Sequence, residues 1–124
     1  MTNRYGKPKT WQLMDRARFE SIVKEAVKNM PDFIRDKLKN IDIVIEDEPV
    51  RHKSLLGLYQ GVPLKKRGFW YGNVMPDRII LFKNNIERIS RNEKEMEEWI
   101  HRVVIHEIGH YFGFGEEEIR RHGY

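Results

Sequence analysis

Two histidines and two carboxylates near the C-terminal end of the chain have the types and spacing of a metal site. From His106 to Glu116 the sequence reads H-E-I-G-H-Y-F-G-F-G-E. His106 and His110 are four residues apart, which in a helix is about 40° around the axis and roughly 6 Å along it, so both imidazoles can reach one metal ion. Glu107 lies one step round the helix, where it can meet a water that the metal activates. Gly113 can end the helix, and the residues after it can deliver a third ligand.

Helical periodicity predicts two helices before the first strand and a long helix that carries the motif. Asp15 is a candidate N-cap of the first helix, in which the apolar residues of 19–30 share one face. A short second helix is predicted over residues 32–37, after a proline. Asn92, with Glu95 three residues later as in a capping box, begins the long helix. Its apolar face leads into the two histidines through Met96, Trp99, Ile100 and Val103.

Short apolar and β-branched runs predict three strands in the middle of the chain. Residues 41–46 nearly alternate, as in a strand with one buried face. Residues 55–61 form a second strand, in which Gly57 indicates a bulge or a close backbone approach, and residues 78–83 form a third, almost wholly apolar strand. A turn followed by a short helical turn is predicted at Asn84, Asn85, Ile86 and Ile89. We therefore predict an α+β domain with a short three- to four-stranded mixed sheet packed on the long helix.

Composition places the chain among small globular domains. Its 124 residues are 40% hydrophobic and 34% charged, which leaves room for one modest core and differs from a disordered profile. There are no cysteines, so a metal must be bound by histidine and carboxylate. No stretch approaches the ~18 apolar residues of a membrane span, and the N-terminus lacks the apolar run of a secretory signal. We expect residues 1–15 to be an extended N-terminal arm, residues 16–124 to be a single domain, and the protein to be cytoplasmic without a membrane partner.

Basic residues are concentrated in the first third of the chain. Residues 1–40 contain ten Lys and Arg against five Asp and Glu, which can attract acidic partners or nucleic acid. A solvated helix face with a basic tail is the simpler interpretation. The long loop over residues 62–77 places basic residues beside Phe69, Trp70 and Tyr71. It can cover the sheet, line a peptide cleft or stack on bases, and nucleic acid is the least favoured of the three.

The chain resembles the zincin metallopeptidases, and within them the metzincin-like branch whose motif H-E-x-x-H-x-x-G-x-x-H/D supplies three zinc ligands. The order of a helix, three strands and the motif is also similar to that of a family of small one-domain zincin-like metallopeptidases, over about residues 17–124. The resemblance implies a small zincin-like domain that binds one Zn²⁺ ion. It implies that His106, His110 and Glu116 are the zinc ligands and that Glu107 is the general base.

Two features depart from the family pattern. The third-ligand position is usually Asp or His, whereas Glu116 is one methylene longer than Asp but can still bind zinc. Rival ligands on the same segment are Glu117, Glu118 and His122. Metzincins also place a Met-containing turn after the third ligand, but no Met follows Glu116, and Met75 and Met96 lie upstream. The floor of the site must therefore be built in another way.

The leading functional hypothesis is hydrolysis of peptide or protein substrates, with Glu107 moving a proton from water to the leaving amine. A bound peptide could extend an edge strand, for which residues 55–61 are the candidate. The candidate oxyanion stabilisers are Tyr111, His122 and Tyr124. A second hypothesis is RNA hydrolysis, because an rRNA-maturation family of metalloproteins has similar ligand spacing, but that family has no Glu after the first His. A zinc-stabilised binding module with little turnover is the third.

Overall fold

A computed structural model describes residues 15–61, 77–121 and 123 of the chain. Over these ranges the chain forms an α+β domain with five helices and a three-stranded mixed sheet, which confirms the predicted fold class. The elements are α1 (Arg16–Lys28), α2 (Asp32–Leu38), β1 (Ile41–Glu46), β2 (Gly57–Gln60), β3 (Asp77–Phe82), α3 (Lys83–Ile89), α4 (Glu93–Tyr111) and α5 (Glu116–Arg121).

The sheet has the strand order β1-β3-β2, so β3 is central and β2 is an edge strand. β1 pairs with β3 in parallel and β2 pairs with β3 antiparallel. α4 packs against α1 and also contacts β2 and β3. The core lies between these elements, and its fully buried side chains include Phe19, Ile79, Leu81, Ile86, Met96, Ile100 and Val104. The helix that carries the motif is therefore anchored to the sheet and to α1, and it runs beside the sheet edge that β2 forms.

The start of α4 is capped as the sequence predicts. The side chain of Asn92 accepts a hydrogen bond from the Glu95 backbone N–H at 2.8 Å. The Glu95 carboxylate in turn accepts a bond from the Arg91 backbone N–H at 3.2 Å. The first bond satisfies a donor that a helix N-terminus otherwise leaves without a partner. The second differs from a standard capping box, because its donor is the residue before the N-cap.

One local prediction is wrong, because Asn84 and Asn85 do not form a turn and belong to α3. Asn85 is buried, and its side-chain amide donates to the carbonyl oxygens of Lys53 and Leu55 at 2.7 and 2.6 Å. Its side chain therefore joins the loop before β2 to α3. The other predicted helix and strand ends differ from the structure by at most two residues, and α5 was not predicted at all.

Several predictions fall outside the described residues. These are the N-terminal arm over residues 1–14, the loop over residues 62–76, and the proposed roles of His122 and Tyr124. In the part of the chain that the structure describes, no helix combines the length and the apolar composition needed to cross a membrane.

Candidate active site

The two histidines of the motif project from α4 towards the first residue of α5. Their ring centroids are 5.2 Å apart. Oε1 of Glu116 lies 3.0 Å from Nε2 of His106 and 2.8 Å from Nε2 of His110. Zinc ligands at ~2.0–2.2 Å from a tetrahedral ion are about 3.3 Å apart. The two distances to the Glu116 oxygen are within about half an ångström of that value. His106, Glu107 and His110 also offer ligand atoms that lie within 4.8 Å of one another, so the two histidines have two carboxylates beside them, and Glu116 is the one that contacts both Nε2 atoms.

Glu116 is the acidic residue of α5 whose carboxylate meets both histidines. Successive residues of a helix are about 100° apart, so Glu117 and Glu118 project to other sides of α5. Hydrogen bonds from His106 and then His110 lower the pKa of Glu116 below its ordinary value, although partial burial opposes this. The geometry thus supports Glu116 over these two neighbours, and its role as a zinc ligand stays a prediction.

The chain reverses direction after the motif through a glycine cap. α4 ends at Tyr111, and Gly113 has a φ of 88°, a left-handed conformation that glycine adopts without a Cβ penalty. The Gly113 N–H donates to the His110 carbonyl at 2.8 Å, and the Phe114 N–H donates to the Gly109 carbonyl at 3.0 Å. These two bonds satisfy carbonyls at the helix end, and they direct the following residues back across α4, as predicted for Gly113.

α5 can lie close to α4 because Gly109 has no side chain. A Cβ at this position would be 2.9 Å from Cγ1 and 3.0 Å from Cδ1 of Ile119, well inside the ~3.5–4.0 Å of normal carbon contacts. Ile119 is buried in this contact. The contact holds α5, which begins at Glu116, against α4. No Met follows Glu116, and Met96 is fully buried in the core.

Glu107 is buried beside the histidines and faces the edge strand. Its Oε1 accepts a hydrogen bond from the Tyr59 backbone N–H at 2.8 Å. Burial raises the pKa of Glu107 above its ordinary value, while His110, His106 and the Tyr59 N–H oppose that rise. Glu107 and Glu116 therefore have pKa values shifted in opposite directions. A carboxylate with a raised pKa, such as Glu107, can exchange a proton more readily, whereas one with a lowered pKa, such as Glu116, stays negatively charged.

Tyr59 links Glu107 to a second buried carboxylate. The Tyr59 hydroxyl donates to Oδ2 of Asp77 at 3.0 Å, and Asp77 is buried at the start of β3. The Tyr59 ring also makes an edge contact with the ring of Tyr111. The candidate oxyanion stabiliser Tyr111 is thus buried against Tyr59, and its role stays a prediction. These contacts hold β2 in register beside α4.

A cleft runs between β2 and α4, and it has two lobes of about 420 Å³ each. Both lobes border Gly57, Glu107 and Glu116. The Phe114 lobe lies towards the C-terminal ends of both elements and is lined by Leu58, Tyr59, Gly61, His110 and Phe114. The arginine lobe lies towards their N-terminal ends and is lined by Leu56, Trp99, Arg102, Val103, His106 and Arg120.

Sequence reasoning missed four residues of the site. Tyr59 and Asp77 are joined to it only through long-range contacts, for which local sequence carries no signal. Gly109 had a signal, because a glycine inside a helix costs about 1 kcal/mol relative to alanine and so indicates a packing requirement. Ile119 is the single apolar residue of α5, and its partner could be found only from the fold.

The sequence model of the zincin-like metallopeptidases matches residues 38–124. The match covers most of the chain, including all three strands and the motif, so this protein belongs to the zincin-like metallopeptidase family, as the sequence resemblance predicted. Membership supports zinc binding and a general zinc peptidase function. No protein of curated function matches the chain.

Proposed function

We propose that His106, His110 and Glu116 bind one Zn²⁺ ion in this protein and that Glu107 is the general base of peptide hydrolysis. The observation that carries the proposal is the position of one Glu116 oxygen, within 3.0 Å of Nε2 of both histidines. The buried Glu107 carboxylate borders the same cleft. Three protein ligands would leave a fourth zinc position for water or substrate, which is the pattern of catalytic zinc sites.

The residues around the cleft suit the proton transfers that hydrolysis requires. Bound zinc supplies Lewis acidity, which polarises the scissile carbonyl and acidifies the attacking water. Glu107 accepts a proton from that water as its oxygen attacks the carbonyl carbon, and it returns the proton to the amine nitrogen as the C–N bond breaks. The bond from the Tyr59 N–H fixes one oxygen of Glu107. The burial that raises its pKa makes the carboxylate a stronger base.

The edge strand offers a binding surface for an extended peptide. The Phe82 N–H donates to the Leu56 carbonyl, and the register pairs Gly57 with Leu81 and Tyr59 with Ile79. Because hydrogen-bonded pairs alternate along an antiparallel ladder, the backbone groups of Gly57 and Tyr59 face away from β3. The Gly57 N–H and C=O and the Tyr59 C=O therefore face the cleft, where a peptide can add as a further strand. The Tyr59 N–H is already bound to Glu107. This supports the candidate edge strand, in its observed bounds Gly57–Gln60, with peptides or proteins as substrates. The cytoplasmic location stays a prediction.

The test combines metal analysis with cleavage of a mixed peptide library. We expect one zinc per chain and zinc-dependent cleavage, and we expect Glu107→Gln to retain zinc but to lose about 10²–10⁴-fold in rate. Glu117→Gln is the matched control, because it removes an exposed acid of α5 and should change neither result.

Two results would contradict the proposal. Zinc-loaded protein that cleaves no library member would favour a zinc-stabilised binding module instead. Cleavage of structured RNA that His106→Ala abolishes would favour the RNA hydrolase hypothesis.

A further inference from the structure

Two arginines face one lobe of the cleft, and the proposed hydrolysis does not use them. Arg102 precedes His106 by four residues on α4, and Arg120 follows Glu116 by four residues on α5. Four residues are about one helical turn, or roughly 6 Å. Each arginine is therefore one turn away from a proposed zinc ligand, and both line the arginine lobe.

The arginine side chains of this lobe have no acidic partner among the described residues. The Arg102 guanidinium lies over the Trp99 ring, 5.4 Å from its centroid, which favours this position of the side chain. Both residues line the arginine lobe and also border a neighbouring cavity beside Glu95 and Glu98. Neither Arg102 nor Arg120 forms an ion pair with an acidic residue in the described ranges. The acidic residues that border the lobe are Glu107 and Glu116, and their carboxylates contact Tyr59 and the two histidines.

The Phe114 lobe differs in charge. Its described lining includes no Lys or Arg, and Leu58, Tyr59 and Phe114 give it an apolar wall. A substrate that crosses both lobes thus meets two guanidinium groups on one side of the zinc ligands and aromatic and aliphatic surface on the other. Guanidinium groups bind carboxylates through paired, charge-assisted hydrogen bonds.

We propose that the arginine lobe binds a carboxylate of the peptide on the C-terminal side of the scissile bond, supplied by an Asp or Glu side chain or by the C-terminus itself. The inference rests on the proposed peptidase function. When the carboxylate belongs to a Glu side chain, the methylenes of that side chain can pack on Trp99. We therefore expect the lobe to bind Glu at least as tightly as Asp.

The direction of the peptide is inferred from the pairing preference of strands and from the direction of β2. Antiparallel pairing is slightly more stable than parallel pairing, so we place the peptide antiparallel to β2. β2 runs from the arginine lobe to the Phe114 lobe, and the residues after the scissile bond therefore enter the arginine lobe. One helical turn of roughly 6 Å equals about two residues of extended chain at ~3.3 Å each. The carboxylate thus belongs to the first or second residue after the bond.

The experiment uses the zinc-loaded full chain and matched peptides. The two members of a pair differ only in having Glu or Gln at one position, which is one of the three positions on either side of the cleaved bond. Each peptide is prepared with a free and with an amidated C-terminus. We expect kcat/KM to be about tenfold higher for the carboxylate member when the group lies one or two residues after the bond. In the Arg102→Gln, Arg120→Gln double variant, the ratio of kcat/KM between each carboxylate peptide and its Gln or amidated partner should fall to about one. Preference for side-chain Glu in amidated peptides identifies an internal acidic residue, and preference for free over amidated ends identifies the C-terminus.

Calorimetric binding of the same peptides to zinc-loaded Glu107→Gln separates this inference from the proposed activity. Tighter binding of the carboxylate member, lost in the double arginine variant, supports the inference even if no peptide is cleaved. Cleavage without a carboxylate preference overturns the inference and leaves the peptidase proposal standing. Binding without the preference and without cleavage, or the absence of both, overturns both. Arg121→Gln is the matched control, since this exposed arginine of α5 lines neither lobe, and it should retain the preference.

Discussion

Replacing Gly109 with alanine should weaken zinc binding by moving a helix that carries a proposed ligand. The new Cβ would lie 2.9 Å and 3.0 Å from Cγ1 and Cδ1 of Ile119. Carbon atoms in contact are ~3.5–4.0 Å apart, so either the Ile119 side chain changes rotamer or α5 retreats from α4 by about 0.5–1 Å. Because Ile119 is buried and its β-branched side chain is stiff, we expect α5 to retreat. Zinc–ligand distances vary by only about 0.2 Å. Glu116 therefore cannot keep its position between the two histidines.

The expected loss is about 10- to 100-fold in zinc affinity, the range found when a group that orients a metal ligand is removed. This corresponds to roughly 1.4–2.7 kcal/mol. The stability of the metal-free protein is subject to two opposed effects. Alanine at Gly109 gains about 1 kcal/mol in helix propensity, while overpacking against Ile119 costs about 1–3 kcal/mol. The metal-free protein should therefore lose at most about 2 kcal/mol.

Competition between the protein and a chromophoric zinc chelator measures the affinity, and urea denaturation of chelator-treated protein measures the stability. Gly115→Ala is the matched control, because a Cβ at Gly115 would meet no atom within 4 Å, and its zinc affinity should equal that of the wild type. An unchanged affinity in Gly109→Ala, with a folded metal-free protein, would refute the conclusion that contact between α4 and α5 positions Glu116.

Three further predictions concern the elements around the site. Tyr59→Phe removes a donor to the buried Asp77, so it should lower the free energy of unfolding by about 1–3 kcal/mol. It should also reduce kcat/KM while the zinc content stays at one per chain. A lower zinc content would contradict this prediction. Burial raises the pKa of Glu107 in the metal-free protein. At pH values between the ordinary and the raised pKa, the folded state therefore binds more protons than the unfolded state. The free energy of unfolding then falls as the pH rises. In urea denaturation with chelator, Glu107→Gln should remove that dependence and be more stable at neutral pH; lower stability than the wild type would contradict the pKa direction. Asn92→Ala removes the cap on the Glu95 N–H and should cost about 1 kcal/mol in the same assay, whereas an unchanged midpoint would show that the cap is not formed in solution.

The long motif helix is predictable from sequence because its signals are local and agree with one another. The Asn92 cap, the apolar face that begins at Met96 and the stop at Gly113 all recur in the structure at the predicted places. The same consistency between cap, periodicity and stop makes the positions of His106 and His110 on one face predictable. Family membership is predictable for the same reason, since the motif lies in this helix.

Long-range contacts and short polar helices are not predictable in this way. The bond between Glu107 and the Tyr59 N–H joins residues 48 positions apart, and hydrophobic periodicity carries no signal for it. α5 has six residues with one apolar position, too few for a helical period. Asparagine is common in turns, so the sequence predicts a turn at Asn85. The hydrogen bonds of its side-chain amide to the loop before β2, which accompany its helical position, are long-range contacts.

The most direct test of the zinc ligand assignment is a crystal structure of the zinc-loaded protein with anomalous scattering recorded at the zinc edge. We predict one anomalous peak, about 2.0–2.2 Å from Nε2 of His106, Nε2 of His110 and a carboxylate oxygen of Glu116. Glu107 should lie outside the ligand set and keep its bond to the Tyr59 N–H. A peak bound by Glu107, or by another acidic residue of α5 in place of Glu116, would contradict the account.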